Sequence, residues 1–149
     1  LQSIHMTETE REEFLEEFEK DQEKSLLGFC VMGGIFSEGI DLTEEKLIGA
    51  LIVGTGLPRV CTEREILKQY FDERGLGGFD YAYLYPGMNK VLQSAGRVIR
   101  TASDKGCVLL LDERFGRNEY KKLFPREWKQ PVFGNISDLP NILENFWKD

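Results

Sequence analysis

The spacing of apolar positions is most informative over residues 91–100. Set on a helix at roughly 100° per residue, Val91, Leu92, Ala95, Val98 and Ile99 fall on one side. Gln93, Arg97 and Arg100 fall on the other, one turn apart from each other. The first side suits a core, and the second presents an amide and two guanidiniums to one point outside. Upstream, Thr7 with Glu10 three residues on predicts a capping box and a helix to about Gln22 that buries Phe14, Leu15 and Phe18. Thr62 is the expected cap of a helix to about Arg74, with Ile66, Leu67, Tyr70 and Phe71 inward and Gly75, Gly77 and Gly78 ending it. Three apolar runs, residues 26–32, 47–53 and 106–111, are too short for helices and read as strands covered on both faces. Residues 1–4 read as the end of a further strand. Towards the end, a short helix spans about 117–123 and stops before Pro125, and Trp128, Pro131 and Phe133 suggest a packed irregular segment or edge strand. Ser137 and Asp138 open a last helix with Leu139, Ile142, Leu143, Phe146 and Trp147 apolar.

Buried strands separated by helices predict an α/β fold with a mainly parallel sheet. In such sheets the loops leaving the carboxyl ends of the strands form the ligand crevice. The loop of residues 33–41 and the start of the 91–100 helix are the expected places. No repeat, low-complexity tract or internal boundary interrupts the 149 residues, so a single domain over 1–149 is expected.

Composition changes this picture in two respects. With 41% hydrophobic and 30% charged residues the chain reads as globular and soluble, without the roughly 18-residue apolar run of a membrane span. There is no signal-peptide pattern at the start, and Cys30, Cys61 and Cys107 are scattered, which suggests reduced thiols in a cytoplasmic protein instead of a disulfide frame or zinc site. The lone His5 argues against histidine-based metal chemistry. The net charge of −7 is also unevenly spread. Residues 8–24 hold nine acids against three bases, whereas residues 97–129 hold nine bases against five acids. The basic part includes the arginines of the helix.

Two guanidiniums fixed on one face suit a phosphate chain. The glycines at 33, 34 and 39 let the backbone turn tightly and approach a ligand, with Glu38 and Asp41 as carboxylates at its edge. Two carboxylates alone make a poor metal site, and none is expected. No G-x-x-x-x-G-K-[ST] phosphate loop and no nucleophile–base pair is present. The arginines would therefore serve nucleotide hydrolysis only on a phosphate chain held by another domain. The alternative is a non-catalytic α/β module that binds a phosphorylated ligand or a protein partner through the same face.

Phe36-Ser37-Glu38-Gly39-Ile40-Asp41, followed by Gln93-x-x-Gly96-Arg97-x-x-Arg100, resembles helicase motifs V and VI, and more narrowly those of the DinG/XPD-like branch of superfamily 2. The Gly56-Leu57-Pro58 turn and the Asp112-Glu113-Arg114-Phe115 turn fit the same context. The resemblance implies a RecA-like three-layer domain, P-loop NTPase-like without a P-loop of its own, serving as the second motor domain of an ATP-dependent DNA helicase. By this resemblance Arg100 and Arg97 would reach the γ-phosphate as arginine fingers. Gln93, Gly96, Asp41, Gly39 and Glu38 would face the nucleotide, and Ser37 and Gly34 would touch nucleic acid. ATP and Mg2+ would be held mainly by the first motor domain of the same protein, and no metal or iron–sulphur cluster is expected in this chain. Single-stranded DNA is the implied partner, the chain by itself being monomeric and inactive in hydrolysis, with DNA repair as the setting of relatives.

Overall fold

The computed structural model describes residues 1–3, 5–21, 23–34, 36, 47–99, 104–128 and 134–148. They form two compact units, residues 1–115 and 116–149.

In the first unit, helix α1 spans Glu8–Glu19. Its capping box forms as the sequence predicts. The Glu10 amide donates to Thr7 Oγ1 at 3.3 Å, and the Thr7 amide donates to Glu10 Oε2 at 2.7 Å. These hydrogen bonds hold the Glu10 carboxyl below its ordinary pKa. Phe14 and Phe18 are partly covered, Phe14 lying 4.6 Å from the Phe36 ring. A methyl on Gly28 would meet the Phe18 ring at 2.6 Å, so this glycine is where the chain passes over the helix.

Strands β1 (Gly49–Val53) and β2 (Cys107–Leu111) pair in parallel, Leu51 opposite Leu109 and Val53 opposite Leu111. Two of the three expected strands are thus present, each slightly shorter than its apolar run. The third is not: residues 25–31 are irregular, and Leu27, Phe29 and Val31 are exposed. Gln2 ties this stretch down, its amide donating to Phe29 O at 2.8 Å and its Oε1 accepting from the Val31 amide at 2.7 Å. Residues 1–3 are likewise irregular. Nor is β1 covered on both faces. Alternate strand residues point to opposite sides, and only Ile52 is buried, whereas Leu51 and Val53 are exposed.

Helix α2 spans Thr62–Asp72. Its cap is Cys61, with extended backbone and no side-chain cap hydrogen bond, so Thr62 already lies inside the helix. Gly75, at φ +69°, ends it with a Schellman motif, the Leu76 amide reaching Phe71 O and the Gly75 amide reaching Asp72 O. The expected inward face is largely open: Ile66, Leu67 and Tyr70 are exposed. Phe71 is the residue that packs, stacking on Tyr81 at 4.2 Å, while the Arg74 guanidinium covers the Tyr70 ring.

The aromatic stretch then winds as a π-helix, Asp80–Leu84, that runs directly into helix α3, Tyr85–Ala95. The reason is Pro86, at the start of α3. Its ring has no N–H and would crowd the carbonyl four residues back, which a wider turn relieves. That carbonyl, Ala82 O, accepts from Arg64 Nη1 of α2 at 2.6 Å instead. Beside it the Tyr83 hydroxyl donates to Glu65 Oε1 at 2.5 Å. The core gathers here, with Ala82, Tyr83, Leu84, Met88, Val91, Ala95 and Val98 buried.

β2 ends in a 3-10 turn, Glu113–Gly116, where the Arg114 guanidinium grips Asp112 with two bonds of 2.8 and 2.7 Å. In the second unit, α4 (Asn118–Lys121) carries the buried Tyr120, and Phe124 and Trp128 pack ring to ring. A 3-10 turn, Ile136–Asp138, leads into α5, Leu139–Lys148, on which Ile142, Leu143 and Phe146 are partly covered and Trp147 is exposed. Pro131 and Phe133 lie outside the described residues.

The hydrogen bond to Glu65 pushes the Tyr83 phenol up to about 12. A raised phenol pKa favours the protonated form in the folded protein, so its stabilising contribution is complete below the ordinary tyrosine range near 10 and fades as pH rises towards 12. A UV difference titration should find this tyrosine ionising last, and Glu65→Gln should return it towards the others.

Candidate functional site

Helix α3 carries the sequence-predicted site, and one seat fixes it. β1 leaves the sheet through Gly54, at φ +83°, into the turn Thr55-Gly56-Leu57-Pro58, with Gly56 at φ +65°. Both values lie in the left-handed region that glycine alone enters without strain. This turn lies directly on Gly87 in the first turn of α3. A methyl on Gly87 would sit 2.7 Å from Thr55 O and 3.1 Å from Leu57 N, and one on Gly56 would sit 2.8 Å from Gly87 O. Backbone therefore packs on backbone. Thr55 is 2% exposed, and its hydroxyl has no hydrogen-bond partner among the described residues. From this seat α3 runs back along the strands, and Val98 closes the far end against Gly106, just before β2.

The apolar face falls much as its spacing predicts, with Val91, Ala95 and Val98 buried and Leu92 half-buried. Ile99 departs from it at 50% exposed. The physical reason is that the helix stops at Ala95, with Gly96 as C-cap, instead of continuing through the motif. The Arg97 and Val98 amides close three-residue turns onto Ser94 O and Ala95 O. That tighter winding ends the apolar register one residue after Val98.

Gln93 is exposed and makes no hydrogen bond among the described residues, and Gly96 is exposed beside it. Arg97 follows, half-buried, in the turn that ends the helix. The three thus share one edge. Gly34 sits in the turn of residues 31–34, its amide donating to Val31 O at 2.9 Å. This turn lies on α3 too, since a methyl on Gly33 would meet Lys90 Cδ and Cε at 3.1 Å. The structure therefore brings the Gly33-Gly34 turn to the helix that carries Gln93, at Lys90 near its middle. Arg100, Ser37, Glu38, Gly39 and Asp41 lie outside the described residues.

Sequence reading passed over Lys90. It precedes Gln93 by three residues and Arg97 by seven, so it extends the same polar edge by one turn. The absence of any Asp or Glu from Tyr81 through Ile99 is the signal that marks it. This edge offers an amide and cations, a donor set that suits phosphate oxygens and repels a divalent metal ion. Among the described residues no cluster of His, Cys, Asp or Glu could hold a metal ion, and no helix is long and apolar enough to cross a membrane.

Comparison with known proteins matches residues 1–131 to the family model of the helicase C-terminal domain. The chain is 28% identical over 140 residues to the ATP-dependent DNA helicase CHL1 of Yarrowia lipolytica, covering 81% of this chain and 17% of that protein. It is 30% identical over 138 residues to the helicase of the same name from Eremothecium gossypii, covering 85% and 17%. Against the human regulator of telomere elongation helicase 1 it is 30% identical over 131 residues, covering 80% and 11%. The chain thus spans between 11% and 17% of the length of these relatives.

The seat of α3 makes two opposite stability predictions. Gly87→Ala places a methyl against two backbone segments that have no slack, and should lower stability by about 2 kcal/mol or more. Thr55→Val removes a buried, unpartnered hydroxyl at nearly constant shape and should raise stability by about 1 kcal/mol. Thermal or urea unfolding of the two variants checks both signs.

Proposed function

The chain belongs to the helicase C-terminal domain family, and from that premise we propose that it is the RecA-like second motor domain of a DinG/XPD-like ATP-dependent DNA helicase. The observation that carries this reading is the edge of α3. Gln93 stands on the exposed side of a helix whose other side is held by Val91 and Ala95 in the core, and Arg97 is half-buried in the turn that ends it, next to buried Val98. A guanidinium anchored in this way acts as a pre-placed charge.

Phosphoryl transfer asks a protein mainly for position and positive charge on the oxygens of the departing γ-phosphoryl group. In our reading the phosphate loop that holds ATP and Mg2+ belongs to a first motor domain of the same protein. Arg97 and Arg100 reach the γ-phosphate as arginine fingers, and the Gln93 amide lies beside it. Gly96 lets the backbone follow the phosphates closely, and Glu38, Gly39 and Asp41 complete the nucleotide side. Single-stranded DNA runs past Gly34 and Ser37, held through its phosphates. Because each domain supplies half of the site, hydrolysis requires the domains to close, and closure and opening become steps along the strand. The free thiols Cys30, Cys61 and Cys107 suit work in the reducing cytoplasm, where DNA repair is the setting we infer.

The experiment is ATP hydrolysis by the complete gene product that contains this chain, with and without single-stranded DNA. Arg97→Ala and Arg100→Ala should each lower DNA-stimulated turnover by about a thousandfold while ATP still binds. The isolated 149-residue chain should hydrolyse ATP negligibly. Turnover indifferent to both arginines, or appreciable turnover by the chain alone, would overturn the reading.

A further inference from the structure

We propose that Lys90 is a phosphate ligand, a further binding residue on the edge of α3 that carries Gln93 and Arg97. Its stem is fixed by the fold. The Lys90 side chain crosses Gly33, whose absent methyl would fall 3.1 Å from Cδ and Cε and 3.4 Å from Nζ. At φ +77° that position favours glycine, and the missing side chain is what leaves the lysine its track. The stem is half-buried and laid along this turn, so less side-chain freedom remains to be lost when a ligand arrives.

The ammonium at its end meets no counter-ion among the described residues. Among the described residues Lys20, Lys68 and Lys148 each meet a carboxylate, of Glu17, Asp72 and Glu144, whereas the Lys90 ammonium, like those of exposed Lys24 and Lys122, forms no ion pair; of these three only Lys90 is half-buried. The helix supplies none, since no acid occurs from Tyr81 through Ile99 in a chain of net charge −7. An ammonium beside a glycine turn, without a counter-ion among the described residues and one turn from an amide at Gln93 that makes no hydrogen bond among them, is matched by a phosphate group. That phosphate belongs either to a nucleotide or to a nucleic-acid strand. The inference adds to the proposed function a residue outside the motif on which it rests, and it can fail separately.

The test uses the complete gene product with two variants. Lys90→Met keeps the stem over Gly33 and deletes the charge, and Lys90→Arg keeps the charge. Two probes are titrated, ATP with Mg2+ and a fluorescent oligothymidylate. Lys90→Met should bind one of them about tenfold more weakly, Lys90→Arg should stay within about twofold of the unsubstituted protein, and the thermal midpoint of Lys90→Met should not fall. If the strand supplies the phosphate, the slope of log affinity against log salt should shrink by about 0.7. If the nucleotide supplies it, the KM for ATP should rise while strand affinity holds. Unchanged affinity of Lys90→Met for both probes overturns the proposal, even where Arg97→Ala abolishes turnover. Weakened binding by Lys90→Met beside an inert Arg97→Ala keeps the phosphate site and removes the arginine finger.

Discussion

The polar edge of α3 depends on a contact between two pieces of main chain, the turn Thr55–Leu57 and Gly87. Backbone can approach backbone this closely only where side chains are missing, and Gly56 and Gly87 are both glycines. The contact fixes where α3 starts relative to the end of β1. Val98 on Gly106 fixes where the helix ends relative to β2. Between these points Met88, Val91 and Ala95 fill the core. A rigid helix held at both ends can present Lys90, Gln93 and Arg97 at set positions, which a long charged side chain on a loop cannot do.

The irregular winding around α3 follows from the same packing. Pro86 cannot complete an ordinary helical turn, so the backbone widens to a π-helix and releases Ala82 O to Arg64. Glu65 on the next position takes the Tyr83 hydroxyl. Two neighbouring side chains at the start of α2 thereby hold the stretch that leads into the site. Aromatic stacking of Phe71 on Tyr81 adds an apolar link between the same two elements.

Charge is arranged to match. The acidic α1, with its carboxylates turned to solvent, carries much of the negative charge of the chain. The stretch of α3 carries cations alone. A local surface can therefore attract phosphate although the whole chain is acidic, because screening limits the reach of solvent-exposed charges to roughly 8–10 Å in physiological salt.

Much was legible in the sequence by itself. The capping box of Thr7 and Glu10, the strands at 49–53 and 107–111, and the buried stripe of Val91, Ala95 and Val98 all follow from local spacing, since hydrogen bonds at caps and side-chain periodicity are short-range. What failed were inferences that required knowing what covers what. The apolar run at 26–32 forms no strand because strand formation needs a neighbouring strand, and here Gln2 takes its backbone groups instead. Ile66, Leu67 and Tyr70 have helical spacing, yet all three are exposed. Lys90 lying across Gly33, Arg64 on Ala82 O and Val98 on Gly106 come from contacts between residues distant in sequence. Sequence determined the capping box, the two strands and the apolar stripe, because these are short-range; only tertiary structure decided which backbone segments touch, and therefore where Lys90, Gln93 and Arg97 are held.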